Sequence, residues 1–237
     1  MSRSAARVPG DERRRQILAV ATSLFARQGF QGTKTREISE KAHVNEAILF
    51  RHFPTKEELY WAVLDAKCKA RRGFAELQNL LHSGKPVPEV FAGIAAGLLR
   101  RNLEDSSVLR LWLFSGLENH RLYRRFYRAY LADYYDVLAD YIRVQIRAGA
   151  FRAVDPYLAA RGFLGMLLDY MLSQGVFHAP RNGKGNLSRV SRELAEIWLE
   201  GMQLSPAARP RRNGHGMRST SVHGHLIRQA VSLQKRS

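Results

Sequence analysis

RRRQILAVATSLFARQGFQGTKTREISEKAHVNEAILFRHFPTKEELYWAVL, residues 13–64, is the stretch that decides the fold. It parses into three short helices and the start of a fourth, each with its own start and stop signal. Ile17, Leu18, Ala21, Leu24 and Phe25 recur at helical spacing and make one apolar stripe. Asp11 and Glu12 stand at the start of that helix, where negative charge suits the helix dipole. Gly29 follows its last turn, where a left-handed residue commonly closes a helix. Thr33 is the expected N-cap of the second helix, with Glu37 in its first turn. Ile38 and Ala42 give that helix its buried face. Asn45 is expected to cap the third helix, anchored by Leu49 and Phe53. Thr55-Lys56-Glu57-Glu58 has capping-box spacing and opens the fourth, with Leu59, Val63 and Ala66 on its inner face.

The short third helix carries Phe50, Arg51 and His52 and is followed by Phe53-Pro54-Thr55-Lys56. That arrangement suits a recognition helix laid in a DNA groove and clamped by phosphate contacts on both sides. The segment resembles the N-terminal DNA-binding domain of the TetR family of bacterial transcription regulators. The resemblance rests on Phe25, Gly29-Phe30, Thr33, Ile38-Ser39, Val44, Leu49-Phe50-Arg51-His52-Phe53 and Lys56. It departs from the family pattern at three places. His43 stands where the turn glycine is usual, so a residue less tolerant of the left-handed region must serve there. Phe50 replaces the usual Tyr and removes a hydroxyl able to bond a phosphate. Glu46 stands where a base-reading side chain is expected; it would accept from a cytosine amino group or repel phosphates and narrow the choice of sites.

The resemblance implies DNA contacts at Thr35 and Arg36 on the second helix and at Glu46, Ala47 and Ile48 facing the bases. It also implies contacts at Phe50 and His52, and at Lys56 as a phosphate contact at the next helix start. Ala47 and Ile48 suit thymine methyl groups, and a Lys beside a helix start suits a phosphate. The plain alternatives are a core aromatic for Phe50, a half-buried structural histidine for His52 and a surface lysine for Lys56.

The chain has 237 residues and a formal net charge of +17. A basic surface attracts nucleic acid through counterion release, without sequence preference. It attracts anionic membranes as well, so charge alone does not choose. The single cysteine, Cys68, excludes an intramolecular disulfide and a cysteine-based zinc site, and a reducing cytoplasm is the consistent setting. The most apolar stretch, residues 157–172, contains Arg161 and Asp169 and is too short and polar to span a membrane.

Behind residue 64 the pattern stays helical, with no useful strand alternation. The fourth helix is expected to reach about Leu81 with a break near Gly73, followed by a loop at residues 83–88. Val90, Ile94, Leu98 and Leu99 mark a fifth helix, Ser106 to Phe114 a sixth, and Glu118 to Ala148 one long helix ended by Gly149. Asp155-Pro156 opens another, with Pro at the first helical position, ending near Gly175. Residues 182–186 read as a loop and Val190 to Leu204 as the last helix. The expected fold is therefore all-α, with an N-terminal three-helix helix-turn-helix domain and a larger C-terminal helical domain for ligand binding and dimerisation. The boundaries are a disordered basic N-terminus at 1–10, the DNA-binding domain at 11–55, the larger domain at 56–204 and a disordered basic tail at 205–237.

The helix from Pro156 is apolar nearly all round, so it is expected to be covered on more than one side. Gly162 and Gly165 leave room for close approach. With Met166 on that helix and Leu194 and Trp198 on the last, they are the expected homodimer contacts in a four-helix interface; the alternative is burial within one chain. The long helix is rich in tyrosine. Trp112, His120, Tyr127 and Tyr130 are expected to line a pocket for a small hydrophobic or aromatic effector, or else to be ordinary core and surface residues. Asp169, a carboxylate on an apolar helix, needs a partner, either within the protein or on a ligand.

No phosphate-binding glycine loop, metalloprotease helix or nucleophile elbow occurs. No catalytic residue, cofactor or metal is expected; His215, His223 and His225 in the tail lack paired cysteines or carboxylates. The reading is a DNA-binding regulator with double-stranded DNA, a second copy of itself and a small effector as partners. The alternative is a structural or nucleoid factor of the same fold without an effector.

Overall fold

The apolar stripe of residues 17–25 winds into α1 (Gly10–Gly32) in the computed structural model, which describes residues 10–70, 72–179 and 186–203. Helical geometry fails at Gly29, whose φ of 76° and ψ of −178° stop the regular helix and set off a last turn carrying Phe30. Thr33, expected as an N-cap, is instead fully buried, and its hydroxyl donates to the carbonyl of Gly29 at 2.8 Å. It satisfies an acceptor that the break in α1 leaves exposed, while Lys34 occupies the cap position of α2 (Thr35–Lys41). His43 takes a left-handed φ of 51°, and the turn closes when the Val44 amide donates to the Ser39 carbonyl. Asn45 caps α3 (Glu46–His52) by accepting the Ile48 amide at 2.8 Å. Thr55 likewise caps α4 (Lys56–Ala70) through the Glu58 amide.

His43→Gly is expected to stabilise the protein by about 0.5–1 kcal/mol, because a β-carbon in the left-handed region is relieved. Thermal unfolding checks this; an unchanged or lowered midpoint would mean that the turn carries no such strain.

Arg72, also left-handed, separates α4 from α5 (Gly73–Leu81). Next come α6 (Val87–Glu104) and α7 (Ser107–Glu118). The expected long helix from Glu118 does not form as one piece. Asn119 is extended, at φ −149° and ψ 90°, and its side chain accepts the amides of Arg121 and Leu122. A new helix therefore starts at α8 (His120–Phe126) and passes through a π turn (Tyr127–Leu131) into α9 (Ala132–Arg147). Asp155 caps α10 (Pro156–Met171) at the Leu158 amide, and a second π turn follows (Leu172–Val176). The last helix is α11 (Leu187–Met202). Residues 1–9 of the expected N-terminus, the expected tail at 205–237 and residues 182–185 of the expected loop lie outside the described residues, as do His215, His223 and His225; Gly10, expected in the disordered N-terminus, is instead the first residue of α1.

Two apolar cores result. The first joins Ile17, Leu24 and Phe25 of α1 with Ile38, Leu49 and Phe53 and with Leu59, Tyr60, Val63 and Leu64 of α4. It also draws in Leu111 of α7 and Leu122 and Phe126 of α8, so apolar packing runs straight through the expected boundary at residue 55. Ala66, expected on the inner face of α4, is exposed: the side of α4 that packs on this core runs through Tyr60, Val63, Leu64 and Cys68 and leaves Ala66 off it. The second core centres on Phe91 of α6, whose ring stacks on Trp198 at 4.5 Å and meets Phe163 edge-on at 4.9 Å.

Candidate nucleic-acid interface

The third helix is pinned from one side only. Leu49 is fully buried and Phe53 nearly so, which leaves the opposite face of α3 outward. Glu46, Ala47 and Arg51 are exposed, Ile48 is half-buried, and Phe50 keeps 40% of its surface accessible. An aromatic ring that open is not a core residue, so the core alternative for Phe50 is set aside. Asn45 below and the Leu49 carbonyl, which accepts the Phe53 amide, close both ends of this two-turn helix. The surface is thereby held in shape before any partner arrives.

The surrounding charges are partly neutralised by their own neighbours. The Thr35 hydroxyl donates to the Glu46 carboxylate at 2.7 Å, which ties α2 to α3. Arg36, exposed, donates to Glu40 one turn along at 2.9 Å. His52 is half-buried beside Phe53, with ring centroids 6.4 Å apart. Lys56 sits with its ammonium 4.6 Å from the Phe30 ring centroid, and burial pushes its pKa down from the usual lysine value while Glu57 and Glu118 push it back. All eight residues expected to touch DNA are thus in one neighbourhood built from α2, α3 and the start of α4. Two further residues join them. Lys34 is exposed at the cap of α2, and the Arg14 guanidinium of α1 lies 5.0 Å over the Phe53 ring. The arginine run 13–15 was visible in the sequence; which of its members reaches α3 depends on how α1 crosses it.

Of the residues expected to line an effector pocket, Trp112 and Tyr127 are linked through the Tyr123 ring, while His120, Tyr130 and Asp169 lie apart from that cluster. His120 and Asp169 are exposed; Asp169 faces solvent, so it needs no buried partner. The Tyr130 hydroxyl donates to Asp65 at 2.5 Å, on the side of α4, whereas Tyr127 shares a 2.6 Å hydrogen bond with Tyr157 of α10. That bond, with burial, pushes the Tyr127 phenol up to about 12. Trp112 is half-buried, and its indole Nε1 is buried with no acceptor among the described residues. A buried donor left in that state is costly and is what a bound acceptor would satisfy.

Of the expected dimer contacts, Gly162 and Gly165 lie exposed on α10, in line with Leu158, which is 67% exposed. Met166 and Leu194 are half-buried against the chain's own core. Trp198 belongs inside: it is 8% exposed and its Nε1 donates to the Ala159 carbonyl at 3.2 Å. The outward apolar residue of α11 is its neighbour Ile197, 59% exposed.

Among the described residues, three polar links connect α7 to α1 and α4. The Tyr60 hydroxyl donates to the Leu111 carbonyl at 2.6 Å. Arg110 donates through Nε to the Ala26 carbonyl at 2.5 Å. The Glu118 carboxylate accepts the Gln31 amide at 2.9 Å. No helix among the described residues is long and apolar enough to cross a membrane.

Residues 17–63 match the family of bacterial regulatory proteins named for tetR, and residues 103–196 match the C-terminal domain of AefR-like transcriptional repressors. The chain is 41% identical over 63 residues to the HTH-type transcriptional activator FasR of Mycolicibacterium smegmatis, covering 27% of this chain and 29% of that protein. It is 37% identical over 111 residues to an HTH-type transcriptional repressor of Mycobacterium tuberculosis, covering 46% and 51%. The chain thus spans about half or less of the length of these curated relatives. Among solved structures it is similar to AibR in complex with isovaleryl coenzyme A and operator DNA, with a TM-score of 0.58 and 22% identity over 81% of this chain and 98% of that one.

Proposed function

Because the chain belongs to the TetR family of bacterial regulatory proteins, we propose that it is a sequence-specific DNA-binding transcriptional regulator, a repressor released from its operator by a small hydrophobic or aromatic effector. The observation that carries this reading is the outward face of α3, capped at its start and anchored by Leu49, with Ala47, Ile48 and Phe50 presented together. The repressive sign follows the AefR-like C-terminal match and the repressor from M. tuberculosis; FasR bears the name of an activator. A reporter gene placed behind the selected operator decides the sign directly.

The protein acts as a homodimer in this reading. Leu158, Gly162 and Gly165 of α10 and Ile197 of α11 leave an apolar, small-residue face uncovered in the single chain. Two copies would place their α3 helices about 34 Å apart, one turn of DNA, so the operator is a near-palindrome. Release then needs an effector that binds the DNA-free form more tightly. The links from Tyr60, Arg110 and Glu118 make α7 the element through which a rearrangement of the larger half reaches α1 and α4. Trp112, one residue after the Leu111 carbonyl that Tyr60 holds, supplies the unmatched donor for an effector to engage.

Selection of duplexes from a random pool tests the DNA reading, with half-site symmetry as the expected product. Ile48→Ala is expected to change base preference at one position of each half-site, by about 1 kcal/mol. His52→Ala is expected to weaken all duplexes alike and to flatten the salt dependence. Recovery of no enriched sequence, or identical enriched sequences for wild type and Ile48→Ala, would overturn the reading in favour of a sequence-tolerant structural factor.

A further inference from the structure

One groove on the larger half is lined by arginines and tyrosines. It has a volume of about 510 Å³, runs along α8 and is formed by Arg121, Tyr123, Arg124, Tyr127, Arg128 and Arg161. Arg121, Arg124 and Arg128 recur along one face of α8 and its π turn, and Arg161 reaches the groove from α10. No carboxylate lines it. Arg36, Arg143 and Arg189, by contrast, are each matched by an acid on their own helix, Glu40, Asp140 and Glu193. Arg125, next in sequence to Arg124, points away and is held by Glu58 and by the Trp61 ring at 4.1 Å. The sequence therefore gathers like charges at i, i+3 and i+7 with no internal compensation, an arrangement that by itself opposes folding.

The wall behind these guanidinium groups is aromatic and fixed. Tyr127 stacks on Tyr135 at 6.3 Å and shares its hydroxyl hydrogen bond with Tyr157; Arg161 lies 5.7 Å over Tyr135. Tyr123 bridges Trp112 and Tyr127, with ring centroids 6.4 Å from each. The π turn begins at Tyr127, and such insertions recur at functional sites.

We propose that this groove is a binding site for a small organic polyphosphate, the arginines gripping the phosphate groups and the faces of Tyr123 and Tyr127 receiving a planar ring. Arginine forks match phosphate oxygens in pairs, which a scattered basic surface does not achieve. The volume is that of a small-molecule site. The site goes beyond the DNA reading and does not depend on it.

Binding of ATP, AMP and inorganic triphosphate to the DNA-free full chain, followed by calorimetry, tests the groove. One ATP per chain is expected, bound more tightly than AMP and than triphosphate, the first for its extra phosphates and the second for its ring. Arg124→Ala combined with Arg161→Ala is expected to weaken ATP by roughly tenfold or more, with the dimer intact by light scattering. Arg143→Ala, an exposed arginine outside the groove, is expected to change nothing. No ATP binding, an equal loss in Arg143→Ala, or a loss that appears only where the dimer falls apart would overturn the proposal. So would a double variant that loses affinity for non-specific duplex while ATP binding stays unchanged, which would make the patch a DNA surface. Failure with ATP while operator selection succeeds would remove the groove and leave the regulator.

Discussion

Tyr60→Ala is expected to destabilise the protein by about 3–5 kcal/mol, the usual loss for a large aromatic side chain removed from a packed interior. Tyr60 is fully buried and sits where three elements meet. Its ring is edge-on to Phe25 at 4.8 Å and to Phe30 at 5.5 Å, and its hydroxyl reaches across to the Leu111 carbonyl. Burial pushes that phenol well above its usual pKa, so it stays a neutral donor throughout the physiological range. The thermal midpoint should fall by roughly 10 °C or more for a chain of this size. Tyr60→Phe keeps the ring and loses only the bond to α7, at a cost of about 1 kcal/mol. It therefore separates stability from communication: operator binding should survive while its response to an effector weakens. A wild-type midpoint in Tyr60→Ala, measured by circular dichroism, would contradict the packing of Tyr60 against Phe25 and Phe30.

Gly29→Ala is the second large effect, at about 3 kcal/mol, because two costs fall on one atom. The backbone there has φ 76° and ψ −178°, a region essentially reserved for glycine. A β-carbon would also lie 2.5 Å from Oε1 of Glu118 and 2.8 Å from Cδ1 of Phe114. Glu118 cannot simply swing aside, since its other carboxylate oxygen accepts the Gln31 amide. The variant should lose thermal stability and, by prying α7 from the end of α1, lose operator affinity as well. Gly10→Ala is the control: nothing lies within 4 Å of the added carbon, so neither property should move. Equal behaviour of the two variants would mean that the α1–α7 contact does not exist in solution.

Local rules read well from the sequence alone. The caps at Asn45, Thr55 and Asp155 stand where the sequence puts them, and Gly149 has a left-handed φ at the end of α9. His43 does take the left-handed conformation that its place in the turn demands. The neighbourhood of all eight expected DNA contacts was legible for the same reason: they fall within 22 residues, on helices whose phase follows from Ile38, Leu49 and Phe53. A cap or a helical face is decided by atoms a few residues apart, and those atoms are present in the string of letters.

At Glu118, Trp198, Tyr127 and Tyr130 the structure departs from the sequence expectation because the deciding atoms are far away in sequence, whereas at Thr33 they lie only four residues back. Thr33 looks like a cap, but the break at Gly29 offers its hydroxyl a buried carbonyl first. Glu118 looks like the first turn of a long helix, yet it closes the preceding one and bonds to Gln31. Trp198 shares a stripe with Ile197 in the letters; Phe91 and Phe163 claim it for the core and leave Ile197 outside. Tyr127 and Tyr130 are three residues apart and serve opposite neighbours, Tyr157 and Asp65, while Asp169 simply faces solvent.

The order of amino acids was enough to determine a helical fold over the described residues with the outer face of α3 presented, since 3.6-residue periodicity and helix-end chemistry are short-range. Only the tertiary structure decided which side chain covers which, how α7 grips α1 and α4, and that four arginines converge with two tyrosines in a groove that no carboxylate lines. Periodicity tells a residue which way to point along its own helix. What it meets there depends on how whole helices cross, and that is settled by packing over the entire core.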